Sequence, residues 1–71
     1  MKEYLVIIES GPHNYSAYSP DVPGCVATAK TLPEIKQKFA EALQFHIEGL
    51  RLAGLPVPEP TTQADRVQVA A

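Results

Sequence analysis

The sequence predicts a small α+β domain in which three antiparallel strands lead into one long helix. Two observations carry this prediction. A helical pattern with marked ends runs from Thr31 to Gly54, and three short apolar segments separated by turn residues precede it. A chain of 71 residues has room for one domain, which we take as residues 1–71. So small a domain buries little surface, so association with other chains would add to its stability.

Both ends of the helix are indicated by local residues. Thr31 suits the N-cap, and Glu34 completes a T-x-x-E capping box with it. Pro33 falls in the first turn, where its missing N–H costs no helical hydrogen bond. At the other end Gly54 can adopt the left-handed C′ conformation, and Pro56 prevents continuation.

At about 100° per residue, one face of this helix is apolar and is expected to pack on the sheet. Its residues are Leu32, Ile35, Phe39, Ala42, Leu43, His46, Leu50 and Ala53. Within this face, we expect His46 to be a neutral imidazole that hydrogen-bonds a backbone or hydroxyl group, rather than a ligand or a catalyst.

Two large apolar residues of the helix lie off this face. Phe45 and Leu52 are seven residues apart, on a line roughly 100° from the middle of the apolar face, and Gly49 lies between the two lines. Either the chain termini cover them, or they form a contact surface for a second chain. A glycine between them would allow another backbone to approach closely.

Three strands are expected before the helix. Lys2–Glu9 is apolar on both faces, which is typical of a strand covered on both sides and suggests contact with another subunit. Ser10–Asn14 has turn residues, with His13 as a solvated loop residue, and Tyr15–Tyr18 forms a short second strand. Cys25–Ala29 forms the third, with small residues on one face.

Two proline-containing segments connect or follow these elements. Ser19–Gly24 holds Pro20, Pro23 and Gly24, so we expect a fixed bend between the second and third strands. Leu55–Pro60 has three alternating prolines, which predict an extended segment across the surface. Arg66–Val69 alternates polar and apolar residues and is predicted to form a short C-terminal strand.

The composition argues against several classes of function. The net charge is −2 and the six basic residues are scattered, so no basic face exists for independent DNA binding. No apolar run is long enough to span a membrane. Cys25 is the lone cysteine, which suggests a reducing compartment, and no segment looks like a signal peptide. We therefore expect a cytoplasmic protein.

The residues do not assemble into a recognisable catalytic or metal site. His13, His46 and Cys25 are far apart and lack ligand spacing, so no metal or other cofactor is expected. Cys25 lacks an evident activating base and is expected to be a small buried apolar residue. The eight carboxylates show no pairing around one bond. The sequence does not argue for an enzyme.

Three blocks of the sequence resemble HicB-like antitoxin domains. The first is P-D-V-P-G-C-V-A-T-A-K-T-L-P-E, from Pro20 to Glu34, which contains Asp21, Pro23, Gly24, Cys25 and Thr31. The second is E-A-L-Q-F-H-I-E-G-L, from Glu41 to Leu50, and the third is G-L-P-V-P-E-P, from Gly54 to Pro60. Their order and spacing make the resemblance much stronger than a lone motif would.

The resemblance implies a β-β-β-α-β unit, described as a partial ribonuclease-H-like fold, that forms dimers or tetramers. Its usual partner would be a small mRNA-cleaving toxin, HicA, whose active site the antitoxin occludes. Many members carry a C-terminal DNA-binding module, whereas the residues from Thr61 onward are too few for one. Independent DNA binding is therefore not expected.

Two functions from different classes remain open. The first is an antitoxin-type module that caps a small basic ribonuclease, with Asp21 and Glu9 as candidate partners for its basic groups. The second is an orphan homo-oligomeric scaffold or ligand-binding protein without a toxin. An active nuclease is the weakest reading, because the strands lack a convincing set of carboxylates for two metal ions. A neighbouring gene for a small basic protein would favour the antitoxin.

Overall fold

The computed structural model describes residues 2–71 as a three-stranded antiparallel sheet with one helix packed on one face. The strands are β1 (Ile7–Ser10), β2 (Tyr15–Ser19) and β3 (Val22–Ala29), and the helix is α1 (Leu32–Leu52). The strand order is β1-β2-β3, so β2 is central and β1 and β3 are the edges. The predicted α+β meander leading into a helix is confirmed.

Strand register decides which side chains enter the core. Ile8 pairs with Ala17, and Ala17 pairs with Ala27, so this row faces α1. Small residues here let the helix approach the sheet closely, as expected for β3. The buried core cluster consists of Ala17, Val22, Cys25, Ala29, Ile35 and Phe39.

The first strand is shorter than predicted. We expected Lys2–Glu9, but ladder pairing begins at Ile7, which lies opposite Tyr18. In this register Val6 would face Ser19, the last residue of β2, so residues 2–5 extend beyond the end of the partner strand. The apolar side chains of residues 2–6 still matter, because Tyr4 and Val6 pack against the core cluster.

The predicted bend over Ser19–Gly24 is also shorter in the structure. Only Pro20 and Asp21 form the turn, and Ser19 pairs directly with Val22. β3 therefore begins at Val22, and this valine is buried in the core.

The rest of the predicted bend is an irregularity inside β3. Tyr18 pairs with Val26, so residues 23–25 have no opposite partner and form a bulge. Gly24 has a φ of +87°, a conformation that favours glycine. Pro23 has no N–H to lose from a ladder, which makes it compatible with the bulge of an edge strand.

The helix begins as predicted. The Thr31 hydroxyl accepts a hydrogen bond from the Glu34 N–H at 3.3 Å, so Thr31 is the N-cap. The Glu34 carboxylate reaches back one residue further than in a standard capping box and accepts from the Lys30 N–H at 3.2 Å. Two orphan backbone donors are thereby satisfied.

The helix also ends where the glycine predicted. Gly54 has a φ of +71° and donates to the Arg51 carbonyl at 3.1 Å, and Leu55 donates to the Leu50 carbonyl at 2.9 Å. These two bonds form a Schellman motif. It stops the helix at the point where the proline-containing segment begins.

The apolar face of α1 is rotated slightly from the predicted one. Ile35 and Phe39 are buried as expected, but Leu32 and Ala53 at the helix ends are exposed. Ile47, outside the predicted face, is 9% exposed and belongs to the buried set. The helix thus buries one flank that the sequence pattern did not assign to the core.

The C-terminal segment, residues 55–71, contains no strand. Its first part is held by long-range contacts: the Tyr4 hydroxyl donates to the Pro58 carbonyl at 2.6 Å, and Lys2 pairs with Glu59 at 2.8 Å. The predicted strand at Arg66–Val69 is wrong for this chain on its own, because these residues pair with no other strand among residues 2–71 and are all exposed. A strand, unlike a helix, needs a neighbour for its hydrogen bonds.

Candidate interaction surface

Asp21 anchors the C-terminal segment to the turn between β2 and β3. Its Oδ1 accepts hydrogen bonds from the hydroxyls of Thr61 and Thr62, at 3.2 and 2.7 Å. Its Oδ2 accepts from the N–H groups of the same two threonines, at 3.2 and 3.0 Å. We call this arrangement the Asp21 clamp. It uses all of the carboxylate's main acceptor positions.

The clamp favours the ionised carboxylate. The hydroxyl and N–H of Thr62, with a smaller contribution from Thr61, hold the pKa of Asp21 below its ordinary value of 3.8. Hydrogen bonds donated to a carboxylate stabilise its charged form, which is the physical cause of the shift. The carboxylate is therefore ionised at neutral pH and can accept all four hydrogen bonds.

The two candidate acidic residues are not neighbours. Glu9 lies in β1 opposite Ser16 and is exposed, whereas Asp21 lies beyond the end of β2. At about 3.3 Å per residue, the three steps from Ser16 to Ser19 alone span roughly 10 Å. Glu9 makes no hydrogen bond or ion pair with residues 2–71, so its carboxylate is available to a partner.

Phe45, Gly49 and Leu52 form an exposed flank of α1. Phe45 is 80% exposed and Leu52 is 91% exposed. A Cβ built on Gly49 would meet no atom within 4 Å, so no other segment of residues 2–71 approaches it closely. The alternative in which the chain termini cover Phe45 and Leu52 is therefore wrong.

The termini cover the opposite flank instead. Ile47 lies about 160° around the helix from Phe45, and Lys2, Tyr4 and Val57 line the same shallow depression as Ile47. This explains why Ile47 is buried although it lies outside the predicted face. One flank of α1 is thus covered from within the chain and the other is not.

A groove of about 410 Å³ joins the exposed flank to the edge strand β3. It is lined by Gly24, Cys25, Val26, Ala42, Phe45, His46, Gly49 and Leu50. The expected hydrogen bond of His46 is not formed with any of residues 2–71, and its half-buried ring is part of the groove wall instead. Val26 adds a further exposed apolar side chain at 70%.

Cys25 has the properties expected of a structural residue. It is 4% exposed, and burial raises the pKa of its thiol above the ordinary value of 9.0. A neutral buried thiol is a poor nucleophile. Within residues 2–71 no three histidine, cysteine or acidic side chains are grouped as a metal site would require.

Ser19 is the buried polar residue that the sequence did not reveal. It is 2% exposed, and its hydroxyl has no hydrogen-bond partner within the part of the chain that the structure describes. A buried hydroxyl without a partner costs about 1–3 kcal/mol. Ser19 is the last residue of β2, so this destabilising hydroxyl lies next to the turn that carries Asp21.

Comparison with known proteins identifies the family. The sequence profile of the HicB-like antitoxins of bacterial toxin–antitoxin systems matches residues 4–70, almost the whole chain. This chain belongs to the HicB-like antitoxin family. The family is described as antitoxins of bacterial toxin–antitoxin systems.

The chain is also similar to an uncharacterized 14.9 kDa protein encoded in the rep-hol intergenic region of Haemophilus phage HP1. The two are 43% identical over 47 residues, which cover 66% of this chain and 35% of that relative. The chain thus spans about a third of the length of the relative it matches. No solved structure matches it significantly. No helix among residues 2–71 combines the length and apolarity needed to cross a bilayer.

The structure adds residues that sequence patterns could not assign to a surface. Thr61 and Thr62 read only as polar loop residues, because their partner Asp21 lies 40 and 41 positions away. The burial of Ile47 likewise depends on both terminal segments. Only the off-face spacing of Phe45 and Leu52 was a usable signal, and it correctly separated them from the core.

Proposed function

We propose that this chain is an antitoxin-type binding module that neutralises a small, basic, HicA-like mRNA-cleaving toxin in the cytoplasm by occlusion. The family match over residues 4–70 carries this proposal. Occlusion requires a surface and no chemistry, so the proposal needs no catalytic residue or cofactor in this chain. A ribonuclease must approach phosphates and is therefore basic.

The proposed contact surface lies around the Pro20–Gly24 segment, the adjoining strands and the helix. Glu9 is the direct candidate for pairing with a basic group, because its exposed carboxylate has no partner within residues 2–71. Asp21 is the second candidate. Since its carboxylate already accepts four hydrogen bonds, it would contribute its negative charge through the clamp, or exchange threonine donors for the toxin's.

Co-expression with a small basic HicA-like toxin, sought first among the neighbouring genes, tests the proposal. The toxin alone should arrest growth, the pair should restore it, and the two proteins should purify together. Glu9→Lys should slow association severalfold at low salt and make it less salt-dependent. Glu3→Lys, an equal charge change at another exposed position, is the matched control.

Charge reversal at both Glu9 and Asp21 should weaken the complex further than Glu9→Lys alone. Unchanged toxicity and no copurification with the unaltered chain would reject the antitoxin function. The chain alone should not bind duplex DNA tightly, because its net charge is −2. Nanomolar binding in a gel shift at physiological salt would contradict that expectation.

We also propose that the chain associates with itself, which is the basis of the alternative function as an orphan oligomeric scaffold or ligand-binding protein. The exposed flank formed by Phe45, Gly49 and Leu52 favours this, since large apolar side chains that are 80% and 91% exposed are typical of contact surfaces. Sedimentation at micromolar concentration should show a dimer or larger.

Leu52→Glu should weaken this self-association, whereas Gln37→Glu, an equal charge change elsewhere on the helix, should leave it intact. A clean monomer of the unaltered chain with full helical signal would reject self-association. An oligomer that binds no toxin would favour the scaffold over the antitoxin.

A further inference from the structure

The end of the C-terminal segment has the side-chain pattern of a strand but no strand partner. Val67 is 85% exposed and Val69 is 77% exposed. In an extended strand, residues two apart share a face, so as a strand this segment would present both valines on one face and Arg66 and Gln68 on the other. The radius of gyration is 13.9 Å, whereas a compact chain of this length has about 11 Å. The exposed segment accounts for this extension.

The two edges of the sheet differ in how well they are protected against pairing. On β3, Pro23 lacks an N–H, Gly24 lies in the bulge, and Lys38 Nζ donates to the Thr28 carbonyl at 3.4 Å. Prolines, bulges and lysines are devices that block edge pairing. The β1 strand, Ile7–Ser10, has none of these, so its edge is open to an added strand.

An apolar groove runs beside this open edge. Helix α1 lies over β2 and β3 rather than over β1, which leaves the inner side of β1 incompletely covered. The resulting groove of about 370 Å³ is lined by Tyr4, Val6, Ile8, Lys36, Phe39, Ala40 and Leu43. A strand placed next to β1 would direct alternate side chains into it.

We propose that residues Arg66–Val69 of a second copy of this chain add to the β1 edge, with Val67 and Val69 in the groove and Arg66 and Gln68 on the opposite face. This inference rests on the self-association proposed above. Added strands of this kind gain main-chain hydrogen bonds from the edge and specificity from the alternate side chains. By symmetry, each copy receives the strand of the other.

The Asp21 clamp fixes where the C-terminal segment leaves the domain, because it holds Thr62 at the turn between β2 and β3. Beyond this anchor the segment pairs with no strand of its own chain among residues 2–71 and is therefore free to pair with another copy. In the single chain, residues 63–71 stay exposed and leave their own groove open.

Disulfide trapping between two separately purified variants tests this arrangement. In a Cys25→Ala background, one chain carries Ile8→Cys and an affinity tag, and the other carries Val67→Cys or Val69→Cys. Paired strand residues have Cα atoms about 4.5–5.5 Å apart, which suits a disulfide. After mixing and mild oxidation, at least one valine variant should give a covalent heterodimer. Gln68→Cys, whose side chain would lie on the opposite face, should not.

The outcomes separate this inference from self-association in general. A sedimenting dimer without the cross-link would keep self-association and overturn the strand exchange. A disulfide within one chain, seen in the Ile8→Cys, Val67→Cys double variant at high dilution, would show that the segment fills its own groove, which also overturns it.

A second readout avoids cysteines altogether. Val67→Glu with Val69→Glu should weaken self-association at least tenfold, whereas Arg66→Glu with Gln68→Glu should weaken it far less. Equal effects of the two double variants would contradict the proposed facing of the strand.

Discussion

Helix α1 and the segment Arg66–Val69 both have clear sequence periodicity, yet only the helix forms within the chain. The helix satisfies its hydrogen bonds locally, its ends are capped by Thr31 and Gly54, and one face meets the sheet. The C-terminal residues alternate as a strand should, but no main chain lies beside them. The difference shows that a helix can be completed by its own residues, while a strand depends on an edge.

The two flanks of α1 also differ in whether the chain itself completes them. Ile47 is buried because the N-terminal residues and Val57 reach it, whereas Phe45 has no such cover and is 80% exposed. The side of the helix that the chain covers contributes to the stability of the monomer. The uncovered side can contribute only through another molecule.

The largest expected effect tests which side of the helix stabilises the monomer. Phe39→Ala removes a side chain that is 1% exposed and should lower the free energy of unfolding by about 3–5 kcal/mol. Chemical denaturation at low protein concentration measures this. Phe45→Ala is the matched control, with an expected change of less than about 0.5 kcal/mol. Equal losses would contradict the assignment of Phe39 to the core and of Phe45 to the exposed flank. A Phe45 effect that grows with protein concentration would identify an interface.

A smaller effect of opposite sign is expected at the buried serine. Ser19→Ala removes a buried hydroxyl that has no partner within residues 2–71 and should raise the free energy of unfolding by about 1 kcal/mol or more. Ser16→Ala, on the same strand but only half-buried, should change it little. Destabilisation by Ser19→Ala in thermal or chemical unfolding would show that the hydroxyl has a stabilising partner.

The local origin of the helix can be tested at its N-cap. Thr31→Ala removes the hydroxyl that accepts from the Glu34 N–H, and it should cost about 1 kcal/mol. Thr31→Ser keeps the hydroxyl and should cost much less. If both substitutions have the same effect on the unfolding transition, the cap is not what fixes this end of the helix.

The smallest effect concerns the clamp, which we expect to order the C-terminal segment without changing global stability. The pKa of the Asp21 carboxyl is lowered in the folded chain. The clamp's contribution to holding the C-terminal segment is therefore present above the ordinary pKa of 3.8, and it is lost as pH falls through the folded-state pKa. The Thr62 amide NMR resonance should therefore shift with a midpoint below 3.8. Asp21→Asn should abolish that transition and Asp65→Asn should keep it, whereas a midpoint above 3.8 would contradict the clamp.

Local signals explain what could be predicted from the sequence. Thr31, Glu34 and Gly54 act through hydrogen bonds three to five residues away, so both helix ends were correctly predicted. The order of the three strands followed from turn residues between them. These features depend on neighbours in sequence, which makes them readable without a structure.

The features that were missed depend on distant parts of the chain. The start of β1 is set by where β2 ends, and the bulge at Gly24 by a shift in pairing with Tyr18. The Asp21 clamp joins residues 40 and 41 positions apart. No local pattern contains that information. For the interaction surface, the sequence identified Phe45 and Leu52 as off-face residues but could not show which flank the termini cover.

The burial of Cys25 makes this residue a natural probe of local opening in the domain. The thiol is 4% exposed, within the cluster that joins β3 to α1, and its raised pKa keeps the reactive thiolate scarce. A thiol reagent in solution should therefore react slowly with this thiol, and faster whenever the helix separates from the sheet. The rate at which a thiol reagent labels this single native cysteine would report how readily the helix separates from the sheet, with no probe added to the chain.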